Sequence, residues 1–299
     1  MTATTAIHSS EECLLRPGNT NCGGCGMSVG LTLLGRALAE AGDTCTLVIP
    51  ACYGIVTAGA FPTTSYGVPT IATTFASSPA VASGVAAIRD LNAEPGQVIC
   101  WAGDGGTYDI GLGTLSAAAE RNENFIYICY DNEIYGNTGG QRSSATPAGA
   151  RTTTTPSGKV QEKKDVMSIM AAHRIPYAAT LSIAHPDDFA GKISTALSVE
   201  GMRFLLLHSP CPTGWKSEPA DSVELVRLAV ASGLFPLYEV FDGATYRINF
   251  EPDGTDPKKY FQLQRRFENE NIDINATRRA CSERTQRLRS LAEQYPAGN

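Results

Sequence analysis

No run of the chain approaches the ~20 consecutive apolar residues that a helical membrane span needs, so a membrane span is excluded. The opening residues, M-T-A-T-T-A-I-H-S-S-E-E, lack a basic stretch followed by an apolar core, and no secretory signal is visible. Positive charge is in the minority. Twenty-four Lys and Arg against 30 Asp and Glu leave a net charge of −6, which argues against a nucleic-acid-binding scaffold. Two phosphate-binding patterns are missing as well: no Gly-Lys-Ser/Thr occurs, and Gly-x-Gly-x-x-Gly from Gly103 fails at Tyr108. Histidine is scarce. His8, His173, His185 and His208 never pair at metal-ligand spacing, so each reads as a satisfied surface or core residue. There is no internal repeat and no low-complexity tract.

What remains is a 299-residue chain, 42% hydrophobic and 18% charged, long enough for one large α/β domain or two small ones. Its nine cysteines, without an export signal, point to metal or redox use in a reducing, cytoplasmic compartment rather than to disulfides. The most informative stretch runs from Trp101 to Gln141, W-A-G-D-G-G-T-Y-D-I-G-L-G-T-L … Y-I-C-Y-D-N-E-I-Y-G-N-T-G-G-Q. Residues 97–101 and 125–130 are short apolar runs of strand type. Between them, Ile110, Leu115, Ala118 and Ala119 recur at helical spacing over 110–121, with Asp109 placed to cap the start. Such a unit makes two parallel strands whose C-terminal ends lie side by side. Asp104 leaves the first and Asn132 the second, so two oxygen side chains meet at one edge. Gly103, Gly105 and Gly106 let backbone N–H groups approach a ligand just before a helix N-terminus, where phosphate is favoured. A carboxylate and an amide oxygen beside a phosphate suit Mg²⁺. An ordinary βα turn has the same glycines, so this pattern alone is weak.

Elsewhere, Cys22 and Cys25 form a C-x-x-C at the head of an amphipathic helix over 27–41 (Leu31, Leu34, Leu38, Ala41), where the helix dipole favours thiolate. Cys52 follows a buried strand at 44–49, and Cys211 follows another at 203–208. Cys45, Cys100 and Cys129 lie inside strands as small hydrophobes, and Cys13 and Cys281 belong to the terminal segments. The regular pattern continues with helices over 80–91, 166–173, 186–199 and 223–232, a strand at 177–181 and a charged helix over 278–294. Residues 142–159 form a loop rich in hydroxyls and cations (Arg142, Arg151, Lys159) that can fold over an anionic ligand. The T-T-F-A-S-S-P loop is placed to roof a cofactor. The division expected is a cofactor domain over 1–232 and an extension over 233–299. The extension has too few apolar residues for a core of its own and is read as an arm packing on a partner subunit.

G-D-G followed about thirty residues later by an Asn-containing turn resembles the thiamine diphosphate motif. D-N-E-I-Y-G-N-T-G-G-Q-R-S-S-A-T-P is similar to the β subunit of pyruvate-type 2-oxoacid:ferredoxin oxidoreductases. The resemblance implies a thiamine diphosphate-binding α/β fold with a mostly parallel sheet and CoA-dependent oxidative decarboxylation of a 2-oxoacid. Pyruvate fits the N-T-G-G-Q turn best; phenylglyoxylate, branched-chain 2-oxoacids and oxalate stay open. Carried over residue by residue, the cofactor contacts are Gly103, Asp104, Gly105, Gly106, Asn132, Ile134 and Thr138. Mg²⁺ is held by Asp104, Asn132 and the carbonyl of Ile134, and Asn137 meets the substrate-derived intermediate. Cys22, Cys25, Cys52 and Cys211 resemble the ligands of a [4Fe–4S] cluster, although zinc or a redox dithiol accepts the same residues. The implied partners are an α subunit that supplies the missing activating glutamate, γ and ferredoxin-like δ subunits, ferredoxin or another electron acceptor, and CoA. A non-redox thiamine diphosphate decarboxylase or synthase subunit with structural zinc is the alternative enzyme, and a catalytically dead subunit the alternative of another class.

Overall fold

Apolar runs too short for helices pair here into one eight-stranded sheet: β1 (Cys45–Pro50), β2 (Thr70–Thr73), β3 (Gln97–Gly103), β4 (Ile126–Asp131), β5 (Tyr177–Ser182), β6 (Arg203–His208), β7 (Leu237–Phe241) and β8 (Thr245–Phe250). The computed structural model describes residues 13–59, 62–267 and 272–294. His8 and the first part of the N-terminal arm lie outside the described residues. Strand order is β2-β1-β3-β4-β6-β5-β7-β8. The first six strands pair in parallel, and β7 and β8 join in antiparallel fashion. The helices are α1 (Gly26–Ala41), α2 (Tyr53–Ala58), α3 (Ser78–Asn92), α4 (Leu112–Glu120), α5 (Val166–Ala172), α6 (Pro186–Ser198), α7 (Pro212–Trp215), α8 (Ser222–Ala231), α9 (Lys258–Gln262) and α10 (Ile274–Gln294). No described helix is long and apolar enough to cross a membrane.

The central strands β1, β3, β4 and β6 are buried on both faces, apart from the first residue of β3, as parallel strands covered by helices must be. Successive side chains therefore feed two cores. Leu47, Ile49, Ile99, Trp101, Ile128 and Leu205 pack with α1 and α6. Val48, Val98, Cys100, Tyr127, Cys129 and Phe204 pack with α3, α4 and α5. Cys100 and Cys129 are fully buried in strands as expected, and burial pushes the Cys100 thiol up to about 12.

Three expectations need correction. Ala41, the last residue of α1 before the left-handed cap at Gly42, is exposed, and the buried stripe uses Ala37 instead. Ile110 is exposed and Asp109 caps nothing; a wide π-type turn over Gly105–Asp109 comes first, and α4 begins only at Leu112. Residues after 233 do not stand apart from the domain: β7 pairs with β5, β8 pairs with β7, and α10 packs on β8. Their shortage of apolar residues is met by sharing the sheet of the first 232.

α1 meets the loop after β6 at close range. Gly26 N–H donates to the Pro210 carbonyl at 3.0 Å, and a Cβ on Gly26 would lie 2.6 Å from Pro210 N. Gly84, in the middle of α3, has open space instead. Gly26→Ala should therefore cost about 1–3 kcal/mol of stability, and Gly84→Ala should add up to about 1 kcal/mol. Thermal or denaturant unfolding of the two variants checks this, and equal effects would contradict the close docking.

Candidate active site

The sheet reverses its winding between β1 and β3: β2 lies outside β1, while β4, β6 and β5 follow on the far side of β3. Open parallel sheets bind ligands at the carboxyl ends of their strands, at such a switch point. Four neighbouring strands deliver residues here. Cys52 follows β1, Asp104 follows β3, Asn132 follows β4 and Cys211 lies just beyond β6. Gly103 and Tyr130 are register partners, so the ends of β3 and β4 are level.

Asp104 is fully buried and accepts a hydrogen bond from Ser143 Oγ. Burial, then the neighbouring Asp131, hold its carboxyl well above the usual range. Among the described residues no cation pairs with it, because Lys163 is committed elsewhere: its Nζ lies 2.6 Å from Asp131 and 2.9 Å from Glu133. Asn132 Oδ1 accepts from the Ile134 N–H at 3.3 Å. The carbonyl of Asn132 takes the Trp215 indole N–H at 2.7 Å and that of Glu133 takes Thr146 Oγ1 at 2.6 Å, and neither bond uses the carbonyl of Ile134. A buried carboxylate without a counter-charge, beside an amide oxygen and a turn carbonyl, is a donor set that suits a hard divalent cation.

Glycine is demanded at Gly105, where a Cβ would come within 2.4 Å of the Tyr135 ring. A small cleft of about 90 Å³ opens here, lined by Gly103, Asp104, Gly105, Asn132 and Asn137 among others, with Phe75 over Gly106. The T-T-F-A-S-S-P loop thus roofs the turn through Phe75, whose ring meets Tyr135 edge-on at 6.0 Å. A second cavity of about 580 Å³ is lined by Cys22, Cys25 and Cys211. Tyr53, Ile134, Gly136 and Asn137 border both and form the wall between them. Asn137 and Thr138 are exposed at this mouth, and Thr138 Oγ1 donates to Gln141.

All nine cysteines are free thiols. Cys22 Sγ lies 3.6 Å from Thr213 Oγ1, Cys25 Sγ 3.8 Å from the Tyr53 hydroxyl, and Cys211 Sγ accepts from Gly214 N–H at 3.4 Å. Cys52 accepts from the Tyr130 hydroxyl at 2.8 Å. Tyr53 stands among these thiols: burial, then the charges of Cys25, Cys211 and Cys52, push its hydroxyl well above the ordinary tyrosine range. The four sulfurs gather at one edge without closing into a single sphere. Among the described residues no group of three or more His, Cys, Asp or Glu side chains is set to hold a metal ion.

Sequence reasoning missed the layer beneath. Glu133 adopts a left-handed φ of 61°, uncommon for a residue with a side chain. Its buried carboxylate is fixed by Lys163 and by Arg266 at 2.5 Å. Burial alone would raise its pKa, yet those two cations hold it down at about 2. Arg266 comes from the extension and lies 4.1 Å over the Trp215 ring. The loop at 142–159 is likewise part of the base. Ser143 bonds Asp104, Ser144 bonds Asp109, and Lys159 is spent on the carbonyls of Ser144, Thr146 and Glu162, so it does not reach over a ligand. Arg151 does line the larger cavity. The histidines are satisfied or enclosed: His173 bonds Ser116, His185 bonds Ser182, and His208 sits among Trp215, Phe235 and Tyr260, its pKa lowered by burial to about 3.

A family model described as the C-terminal TPP binding domain of thiamine pyrophosphate enzymes matches residues 51–208. Pyruvate synthase subunit PorB of Methanothermobacter marburgensis is 45% identical over 264 residues, 86% of this chain and 90% of that protein. Ketoisovalerate oxidoreductase subunit VorB of Pyrococcus horikoshii is 43% identical over 293 residues, 93% of each. Among solved structures, 2-oxoglutarate:ferredoxin oxidoreductase from Magnetococcus marinus superposes with a TM-score of 0.63 at 22% identity, covering 93% of this chain and 98% of that one, and shares the fold.

Because the left-handed turn at Glu133 leans on Arg266, Arg266→Met should cost about 3 kcal/mol, the low end for breaking a buried ion pair. Glu133→Gln in the same chain should recover part of that loss. Denaturant unfolding of the single and double variants checks it, and strictly additive losses would contradict the coupling.

Proposed function

The chain belongs to the thiamine pyrophosphate-binding β subunits of the 2-oxoacid:ferredoxin oxidoreductases, and from that membership we propose its substrate, its metal and its electron path. It is a subunit of a hetero-oligomeric oxidoreductase. The reaction we infer is CoA-dependent oxidative decarboxylation of a short aliphatic 2-oxoacid, with pyruvate first. 3-Methyl-2-oxobutanoate (ketoisovalerate) is the second reading, because a relative named for it matches along 93% of the chain.

The observation that carries this reading is the shared wall: Tyr53, Ile134, Gly136 and Asn137 separate a cofactor turn from a cavity lined by thiols. Thiamine diphosphate, when bound, supplies the ylid that attacks the 2-oxoacid carbonyl and takes up the electrons left by loss of CO₂. Gly103, Gly105 and Gly106 would admit its diphosphate to the backbone, with Thr138 at the mouth of the same cleft. Asp104, Asn132 and the carbonyl of Ile134 would hold Mg²⁺ against it, which relieves the uncompensated charge of Asp104. Asn137, exposed between the two cavities, would orient the bound substrate by hydrogen bonding. Cys22, Cys25, Cys52 and Cys211 fit a [4Fe–4S] cluster by chemistry, being four free thiols gathered at one sheet edge. Such a cluster supplies a one-electron acceptor beside the cofactor.

The cleft of about 90 Å³ is smaller than the ~300–1,000 Å³ typical of ligand pockets. An α subunit would close it and bring the activating glutamate, since the buried Glu133 is bound to Lys163 and Arg266 and is not available as that acid. The γ and ferredoxin-like δ subunits would carry electrons onward.

Asp104→Ala should leave the fold intact and purify without thiamine diphosphate or magnesium, because a charge-assisted contact beside a diphosphate is lost. Cofactor retained at wild-type content would overturn the assignment of this turn. Cys211→Ser should lose iron and electron transfer, whereas Cys100→Ser, altered inside β3, should keep full iron with at most a modest loss of stability. Iron and sulfide analysis decides between them, and the opposite pattern would show the ligand set to be wrong.

A further inference from the structure

Tyr130 joins the end of β3, where the glycine turn begins, to the thiol of Cys52. It is the fifth residue of β4, fully buried, and its ring leans across the end of β3. A Cβ on Gly103 would meet that ring at 3.1 Å, so the glycine opening the cofactor turn is also what lets the tyrosine lie there. At its far end the hydroxyl donates to Cys52 Sγ at 2.8 Å in a buried setting. Trp101 at 5.5 Å and Tyr53 at 5.4 Å pack around the ring and fix its direction. Gly54 keeps the space about the bond clear, since a Cβ there would lie 3.3 Å from the Tyr130 hydroxyl and 3.5 Å from Cys52 Sγ. The phenol is thus built toward one sulfur.

We propose that Tyr130 is a positioning residue that sets the reduction potential of the iron–sulfur cluster through its hydrogen bond to Cys52. The proposal rests on reading the four thiols as cluster ligands. A donor aimed at a thiolate stabilises negative charge on sulfur, and reduction adds one electron to the cluster, so the bond is stronger in the reduced state. Hydrogen bonds to cluster sulfurs are among the factors that set its potential. The phenol keeps its proton throughout; only the electron moves. Tyr130 therefore makes the cluster a better acceptor, while its ring fixes the distance between Cys52 and the cofactor turn.

The test uses the assembled, anaerobically purified complex and reads the cluster potential by redox titration followed by electron paramagnetic resonance. Tyr130→Phe removes the donor and should shift the potential to a more negative value, with about a tenfold smaller reduced-to-oxidised ratio at fixed potential, or about 59 mV for one electron. Replacing Tyr130 with 3-fluorotyrosine keeps the ring and strengthens the donor, and should shift the potential upward. Opposite shifts support the proposal, because a purely structural role moves neither in this signed way. An unchanged potential in both, or shifts of the same sign, overturns it while leaving the cluster in place. If Tyr130→Phe does not assemble, the sign of the fluorotyrosine shift alone decides: upward supports, unchanged or downward overturns. A wild-type complex without iron overturns the functional reading, and this inference with it.

Discussion

Parallel pairing of β1, β3, β4 and β6 is the constraint on which everything else depends. Parallel strands all run the same way, so whatever follows each one emerges at the same edge. Cys52, Asp104, Asn132 and Cys211 are separated by as many as 159 residues, yet neighbouring strands set them side by side. The reversal of winding between β1 and β3 opens the crevice in which a cofactor can sit. Burial of the four strands on both faces makes that edge rigid, and rigidity is what a site of several converging groups requires.

Charge is the second constraint, since the edge carries three buried carboxylates. Asp104, Asp131 and Glu133 lie close together, with Lys163 and Arg266 distributed among them. Glu133 and Asp131 take both cations, while Tyr108 also donates to Asp131 at 2.8 Å. Asp104 is left with the Ser143 hydroxyl. The unequal division distinguishes two kinds of acid at the ends of neighbouring strands. Glu133, after β4, is tied down by two cations at a left-handed backbone position, and Asp104, after β3, is left without a cation among the described residues. The extension contributes Arg266 from a short turn after β8, so residues beyond the sheet and the Glu133 turn stabilise each other although they are far apart in sequence.

Much of this was legible in the sequence, for identifiable reasons. Strand positions followed from short apolar runs, and β6 was expected at the very residues it occupies, because fully buried strands leave no polar interruptions. The glycine turn and the convergence of Asp104 and Asn132 at one edge were readable because a strand–helix–strand unit sets the ends of two parallel strands side by side. Asp109 was misread as a cap, since an acid before a helical pattern has the same local signature whether it binds backbone N–H groups or, as here, Ser144 and Tyr135. The place of residues 233–267 was not legible because β7 and β8 need only pair with an existing sheet, and pairing with another element leaves no periodic mark of its own. Arg266 was invisible for a related reason: ion pairs 133 residues apart carry no local signal. Its neighbours Gln264 and Phe267 and its place over Trp215 emerge only in three dimensions.

The central claim is the proposal that one edge of this sheet holds a metal–thiamine diphosphate turn and, beside it, an iron cluster on four thiols. Cys52 lies on the turn's side of the wall formed by Tyr53 and Asn137, and Cys22, Cys25 and Cys211 lie beyond it. Anomalous X-ray diffraction at the iron edge, from anaerobic crystals of the assembled complex, tests that claim most directly. The account predicts an iron signal enclosed by Cys22, Cys25, Cys52 and Cys211, with thiamine diphosphate and a metal ion at Asp104, Asn132 and Ile134 in the same crystals. A complex whose thiols surround zinc or no metal, or whose cofactor lies away from the Gly103–Gly106 turn, would contradict it.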